Sequence, residues 1–283
     1  MNRILACIDA SAYASSVVDL AAWAATRLRA EVELLHVVQR KDAVAARNDH
    51  SGAIGLGVKS ELLEELTRIE EASGRLAVEE GRILLDAGVT RLRTAGVDVK
   101  PLHRHGGIVE TIVEREADAD LVIIGKRGAS GEFATDHIGS KVERVARGGT
   151  LPVLVASREV STPKTVVVAY DGSSAAQKAV AFVASSPLFT GLPVHLVMAG
   201  PDNATRRSRL DAALASLSGR PEAPQCFLVD DGAEKVIGDH MLQHRDAILV
   251  MGAYGHSPLR TLIVGSTTTT MIRTVHVPVL LVR

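Results

Sequence analysis

The sequence contains two copies of one pattern, and this internal repeat limits the chain to a fold built from two similar units. Three segments of the first copy return in the same order in the second: ILACIDAS (4–11), VELLHVV (32–38) and LPVLVAS (151–157) correspond to VVVAYDGS (166–173), VHLVMAG (194–200) and VPVLLVR (277–283). We therefore expect one domain at 1–157 and a second at 164–283, with the short polar segment REVSTPK between them.

Within each copy, short apolar runs alternate with longer segments of helical period, which is typical of β-α-β units. Runs such as LVIIG (121–125) lack polar alternation and so predict strands buried on both faces of a parallel sheet. Strands are predicted at 4–8, 32–38, 97–102, 120–124 and 152–156, and again at 165–170, 193–198, 225–229, 247–251 and 278–282. The predicted fold class is α/β, with two tandem doubly wound five-stranded sheets, and a hydrophobic content of 46% is ample for two separate cores.

The first copy contains an additional helical segment that the second lacks. Its glycines, Gly74, Gly81 and Gly88, are spaced seven residues apart and would form a stripe on one helix. Two interpretations stay open: close packing against another helix, or glycines tolerated at a cost of about 1 kcal/mol each.

The candidate ligand site is expected beyond the carboxyl ends of the strands, where the strand order reverses. In the second copy Asp171 follows the first strand, and Gly252 and Gly255 follow the fourth. Gly265 then precedes a predicted helix whose first residues are Ser266, Thr267 and Thr268. Because the amides of a first helical turn are free donors, this segment predicts a phosphate-binding loop.

The spacing Gly252-x2-Gly255-x9-Gly265-Ser266, between VVVAYDGS and PVLLV, resembles the ATP-binding signature of the universal stress protein family. The resemblance implies sheets of order 3-2-1-4-5, like those of adenine nucleotide alpha hydrolases, with ATP at the switch point, with or without Mg²⁺. It also implies a role in the stress response and association through the fifth strand. By this analogy Asp171 meets the adenine or ribose and Ala199 lines the base. The ribose and phosphates are held by Gly252, Gly255, Gly265, Ser266, Thr267 and Thr268.

The first copy departs from this signature. Its glycines follow Gly125-x2-Gly128-x10-Gly139-Ser140, one residue longer, while Asp9 is retained and Val37 corresponds to Ala199. Glu132 and Asp136 in this loop would repel a triphosphate, although Lys126, Arg127 and Lys141 could offset them. We expect ATP mainly in the second copy; the loop of the first could bind another ligand or contact the other half.

No Walker-type or dinucleotide-binding motif occurs, and no nucleophile with an adjacent base is evident. The sequence thus predicts a binding protein with at most slow ATP hydrolysis; a Mg²⁺-dependent ATPase and a nucleotide-free scaffold remain alternatives. His240 and His244 have a metal-binding spacing, but without a nearby Glu or Cys they are interpreted as solvated helix surface, so no metal site is predicted. His103 and His105 are interpreted as polar strand-end residues, and whether His256 and Arg260 reach phosphates is left open.

Composition argues against two other classes of protein. A net charge of −1 and an aromatic content of 3% do not favour nucleic-acid binding. Neither a signal peptide nor an apolar run of membrane-spanning length is present, and Cys7 and Cys226 lie in apolar runs typical of reduced core thiols, so a cytoplasmic location is expected. The apolar terminal strands PVLVA and PVLLV are expected to pair with each other, and the whole chain is expected to form a homodimer.

Overall fold

The computed structural model describes residues 2–39, 56–128, 140–253 and 266–283. The elements of the N-terminal half are β1 (Arg3–Ile8), α1 (Ala14–Leu28), β2 (Glu31–Val38), α2 (Leu56–Thr94), β3 (Val99–His105), α3 (Ile108–Arg115), β4 (Leu121–Gly125), α4 (Ser140–Gly148) and β5 (Val153–Ala156). Those of the C-terminal half are β6 (Thr165–Ala169), α5 (Ser174–Ser185), β7 (Val194–Ala199), α6 (Ala204–Ser216), β8 (Gln225–Val229), α7 (Ala233–Gln243), β9 (Ala247–Gly252), α8 (Ser266–Thr274) and β10 (Val279–Val282).

All ten strands of the described ranges belong to one sheet of order β3-β2-β1-β4-β5-β10-β9-β6-β7-β8. Each half contributes five parallel strands in the order 3-2-1-4-5, which confirms the predicted fold class. The strands can be continuously apolar because helices cover both faces of the sheet.

The two halves meet through their last strands. β5 and β10 are antiparallel, and Leu154 lies opposite Leu280. These two leucines occupy equivalent positions in the repeat, LPVLVAS and VPVLLVR. Equivalent residues can face each other in an antiparallel pair only around a local twofold axis, so the joint has the symmetry of an isologous dimer contact within one chain.

The hydrophobic core is divided by face rather than by half. One cluster contains Leu154 and Leu280, together with apolar side chains of α1, α2, α5 and α6. The other contains Val155 and Val279, with side chains of α3, α4, α7 and α8. The expectation of two separate cores, one in each copy, is therefore wrong, because the β5–β10 pairing makes both faces continuous across the joint.

The glycines of α2 pack against the sheet. A Cβ atom built on Gly81 would lie 2.5 Å from His36 Nδ1, and one on Gly88 would lie 2.6 Å from Leu34 Cδ2. Gly74 has nothing within 4 Å of that position. Gly81 and Gly88 therefore allow close packing, and the neighbour is the strand β2 instead of another helix. Gly74 is a glycine that the helix tolerates without such a contact.

Two details differ from the sequence prediction at the edge strands. β3 covers Val99–His105 instead of 97–102, because Val97 is buried in the turn that follows Gly96, where φ is +74°. Cys7 is buried as expected, whereas Cys226 is exposed because it lies on the edge strand β8. None of the helices in the described ranges combines the length and the apolar character needed to cross a bilayer.

Candidate functional site

The crevice of the C-terminal half lies at the carboxyl ends of β6 and its neighbours. β6 pairs with β7 on one side and β9 on the other, and Ala169 at its end lies opposite Val197 and Met251. Asp171 and Gly252 therefore emerge side by side at the point where the strand order reverses. Such switch points are where open α/β sheets bind ligands.

Asp171 is exposed and held at the start of α5. Its Oδ1 accepts a hydrogen bond from the Ser173 amide at 2.8 Å, and Gly172 between them adopts a φ of +80°. Ser173 in turn caps α5 by accepting from the Ala176 amide at 3.2 Å. These hydrogen bonds hold the Asp171 carboxylate in one orientation at the mouth of the crevice.

Two arginines of α6 lie over the same mouth, and the sequence analysis missed both. Arg209 Nη1 donates to the backbone carbonyl of Asp171 at 3.3 Å. A Cβ atom on Gly200 would lie 2.8 Å from Arg206 Nε, so this guanidinium rests against the end of β7. Their spacing of three residues on the helix that follows the second strand is the signal that could have identified them. Guanidinium groups in this place suit an anionic ligand.

The glycines that end the fourth strands have a packing role. A Cβ atom on Gly252 would lie 2.4 Å from the backbone carbon of Ala175, at the start of α5. In the N-terminal half, Gly125 approaches Tyr13 in the same way, with 2.7 Å to Tyr13 Cβ. At both positions glycine is needed because other protein atoms, rather than a ligand, pack where a side chain would be.

The remaining predicted residues of the C-terminal copy lie on both sides of a segment outside the described residues. α8 begins at Ser266, Thr267 is partly exposed, and Thr268 is 8% exposed. Ala199 is partly exposed at the end of β7 and lies opposite Val229. The predicted positions Gly255, His256, Arg260 and Gly265 fall outside the described residues.

In the N-terminal copy the corresponding crevice is narrow. Asp9 Oδ1 accepts from the Ser11 amide at 3.2 Å, and a Cβ on Gly128 would lie 2.8 Å from Asp9 Oδ2. The cavity around Asp9, Gly128 and Lys141 measures about 30 Å³. That is room for a water molecule or two and far below the several hundred Å³ of a usual ligand pocket.

Other predicted residues of this copy are placed as follows. Val37 is 7% exposed in β2, opposite Arg104. Ser140 begins α4, and Gly139, Glu132 and Asp136 lie outside the described residues. Lys126, expected to offset the acidic loop, instead donates to the Val275 carbonyl of the other half at 3.1 Å. Burial lowers the pKa of Lys126 to about 8, with a smaller contribution from Arg127.

The interpretation of His240 and His244 as solvated helix surface is wrong. Both imidazoles pack against His195 of β7, with ring centroids 5.2 and 4.7 Å away, and we refer to these three residues as the histidine cluster. Burial, and then the neighbouring imidazoles, lower the pKa of His240 to about 4 and lower that of His195 as well. No pattern in the sequence indicated His195, which lies 45 residues from His240 along the chain.

His103 and His105 lie at the end of β3, as expected from their positions. His103 packs edge-on against His36 of β2, with ring centroids 5.1 Å apart. Burial, followed by the charge of a neighbouring histidine, lowers the pKa of both His36 and His103. These rings face α2 at Gly81, so they belong to the packing of that helix.

Comparison with known proteins identifies one family throughout. A family model described as the universal stress protein family matches residues 1–157 and 202–283. The chain is 34% identical to universal stress protein Slr1230 of Synechocystis sp. (strain ATCC 27184 / PCC 6803 / Kazusa), with 100% of both chains covered. It is 25% identical to universal stress protein YxiE of Bacillus subtilis (strain 168), over 54% of this chain and 97% of that one.

A solved structure with the same fold is a universal stress protein from Archaeoglobus fulgidus DSM 4304. The TM-score is 0.70 at 20% sequence identity, and the match covers 100% of this chain and 98% of that one. A universal stress protein from Pseudomonas aeruginosa UCBPP-PA14 matches with a TM-score of 0.66 at 16% identity. At these identities the two matches concern the fold alone.

Proposed function

Because the chain belongs to the universal stress protein family, we propose that its C-terminal copy binds ATP and that the protein acts as a nucleotide-dependent regulatory module. The domains of this module are residues 1–157 and 164–283. One observation carries the proposal: at the switch point of the C-terminal half, Arg209 of α6 donates to the Asp171 carbonyl, and Arg206 of the same helix rests against Gly200 at the end of β7. The corresponding crevice of the N-terminal copy is narrow, with a cavity of about 30 Å³.

The groups around this crevice match the parts of a nucleoside triphosphate. The Asp171 carboxylate can accept hydrogen bonds from a ribose or an adenine amino group. Arg206 and Arg209 supply charged donors, and the first turn of α8 supplies amides together with Thr267. No evident base to activate water lies at this crevice among the residues that the structure describes, so we propose slow hydrolysis at most, with Mg²⁺ accompanying the phosphates when ATP is bound.

A matched pair of variants tests this proposal, since Asp171 and Asp9 hold the same position in the two copies. We expect ATP among the small molecules released from denatured wild-type protein, measured by mass spectrometry. In calorimetric titration Asp171→Ala should weaken ATP binding by about 10- to 100-fold, the loss expected for a hydrogen bond to a charged group. Asp9→Ala should bind as tightly as the wild type. Equal losses in both variants would contradict the assignment to the C-terminal copy.

A nucleotide-free scaffold is the second candidate, and the packing of Gly252 against α5 favours it. In that case the glycines serve the fold, and neither retained nucleotide nor binding on titration would be found. Substitution of Gly252 does not separate the two functions, because a side chain there would disturb α5 directly. A Mg²⁺-dependent, saturable turnover above about 1 per second would instead favour an enzyme.

The homodimer is also part of this proposal, with α2 as the contact. Ile69, Leu76 and Ile83 recur every seven residues on this helix and are 53, 71 and 56% exposed. Exposed apolar side chains at one position of each heptad form a stripe on which a second copy can pack.

A further inference from the structure

The histidine cluster lies away from the nucleotide crevice, near the opposite end of the same strands. His195 is the second residue of β7, and His240 and His244 are one helical turn apart at the end of α7. Asp171 and Gly200, by contrast, follow the carboxyl ends of β6 and β7. Whatever the cluster does is therefore separate from ATP binding.

The three imidazoles converge on one point. One ring nitrogen from each lies within 4.8 Å of the other two. His195 Nδ1 and His240 Nε2 are 3.0 Å apart, and the His240 and His244 ring centroids are 4.6 Å apart. In a tetrahedral zinc site with Zn–N bonds of 2.0 to 2.1 Å, neighbouring nitrogens are about 3.3 Å apart. The His195–His240 distance is close to this value, and the ligand nitrogen of His244 lies within 4.8 Å of both.

The corresponding position of the N-terminal half shows which part of the cluster the fold requires. Glu33 is equivalent to His195 in the repeat. Arg115 is the eighth residue after Gly107, the residue before α3, and His240 is the eighth after Gly232, the residue before α7 (115−107 = 240−232). Glu33 and Arg115 form a two-bond ion pair, with distances of 2.7 and 2.5 Å. Arg3 and Asp118 extend this pair into a network, so in that half charged side chains tie the second strand to the helix.

The third histidine has no counterpart in this ion pair. His244 is twelve residues after Gly232, and the equivalent residue of the N-terminal half is Ala119 (119−107 = 244−232). His195 and His240 already link β7 to α7, with 3.0 Å between His195 Nδ1 and His240 Nε2. A third imidazole aimed at the same point is explained by a ligand that needs three nitrogen donors.

We propose that His195, His240 and His244 bind one divalent transition-metal ion, with Zn²⁺ as the best match. Neutral imidazole is a ligand preferred by zinc, copper and nickel, and three such ligands leave one coordination position for water or an external group. His195 is 6% exposed whereas His244 is partly exposed, so the open position faces the solvent side. The ion would link β7 to α7 in place of the ion pair of the other half.

Binding is tested with untagged full-length protein that has been treated with a chelator. We expect Co²⁺ to give the visible absorption of a tetrahedral complex and Zn²⁺ to displace it, with a Zn²⁺ Kd of about 1 µM or tighter. The melting temperature should rise with added Zn²⁺. His244→Ala, which introduces the residue of the N-terminal half, should weaken Zn²⁺ binding by about 100-fold or more while leaving the melting temperature without metal unchanged.

Two further proteins make the result decisive. The exposed His276 lies in the same half outside the cluster, so His276→Ala should bind Zn²⁺ as the wild type does. The double variant His195→Glu with His240→Arg introduces the Glu33–Arg115 pair, and should fold but bind no metal. Should the folded wild type take up neither Zn²⁺ nor Co²⁺ at about 100 µM, or should His244→Ala bind Zn²⁺ unchanged, the cluster is packing and the proposal is wrong.

Discussion

At the scale of single residues, Lys126 couples the joint between the halves to pH. Its amino group is buried and donates to the Val275 carbonyl, and its folded-state pKa is about 8 against an ordinary 10.5. Between these values the unfolded chain binds the proton and the folded chain does not, so stability should rise with pH from about 8 to 10.5. Relative to Lys126→Met, the wild type should gain up to about 3 kcal/mol over this range in urea unfolding.

Lys178→Met is the control for this measurement, because Lys178 is exposed on α5. Its difference from the wild type should stay constant with pH. If the difference in unfolding free energy between Lys126→Met and the wild type were also independent of pH, the buried amino group would keep its proton over this range, and the prediction would be wrong.

Individual site residues could be predicted where local sequence determines their position. Asp171 follows an apolar run, so its place at a strand end could be read directly from the sequence. His195 could not be predicted in the same way, because its neighbours are brought together by the packing of helices on the sheet. His195 contacts a residue 45 positions away, and periodicity within one helix or strand carries no information about such a contact.

At the scale of elements, α2 provides a pair of glycines with opposite expected effects. Gly81→Ala would place its Cβ 2.5 Å from His36 Nδ1 and 2.7 Å from His103 Nε2, two buried nitrogens without hydrogen-bond partners among the described residues. We expect the free energy of unfolding to fall by about 1 to 3 kcal/mol, from overpacking of the helix against the sheet. Gly74→Ala meets open space and should gain up to about 1 kcal/mol of helix propensity. Denaturant midpoints measure both; a gain at Gly81 would contradict the close packing.

The strands and helices themselves were largely predictable, because continuous apolar runs and helical periods have different lengths and compositions. The edge strand β3 was the exception. Its predicted range was displaced because its exposed faces carry Lys100, Arg104 and His105, whereas the apolar Val97 belongs to the preceding turn.

At the scale of the whole molecule, one chain reproduces the symmetry of a dimer. The β5–β10 pair places Leu154 opposite Leu280, and further contacts cross the same joint. Arg27 of α1 donates to the Leu188 carbonyl at 2.5 Å and to the Thr190 carbonyl, while it packs over Trp23. Because the terminal strands cover each other, neither is an open edge, and association with another chain must use a different surface.

The exposed stripe of α2 is the surface that we expect to hold two chains together. The charged residues beside the stripe form ion pairs within the helix, such as Glu71–Arg75 and Arg82–Asp86. The apolar side chains are therefore left to contact the second chain. In sedimentation analysis the wild type should have twice the chain mass of 29.9 kDa. Leu76→Glu should give the single-chain mass, since a dimer would bury carboxylates against an apolar partner. Leu242→Glu, at the similarly exposed Leu242 of α7, should leave the dimer intact. A monomeric wild type, or a dimeric Leu76→Glu protein, would rule out this interface.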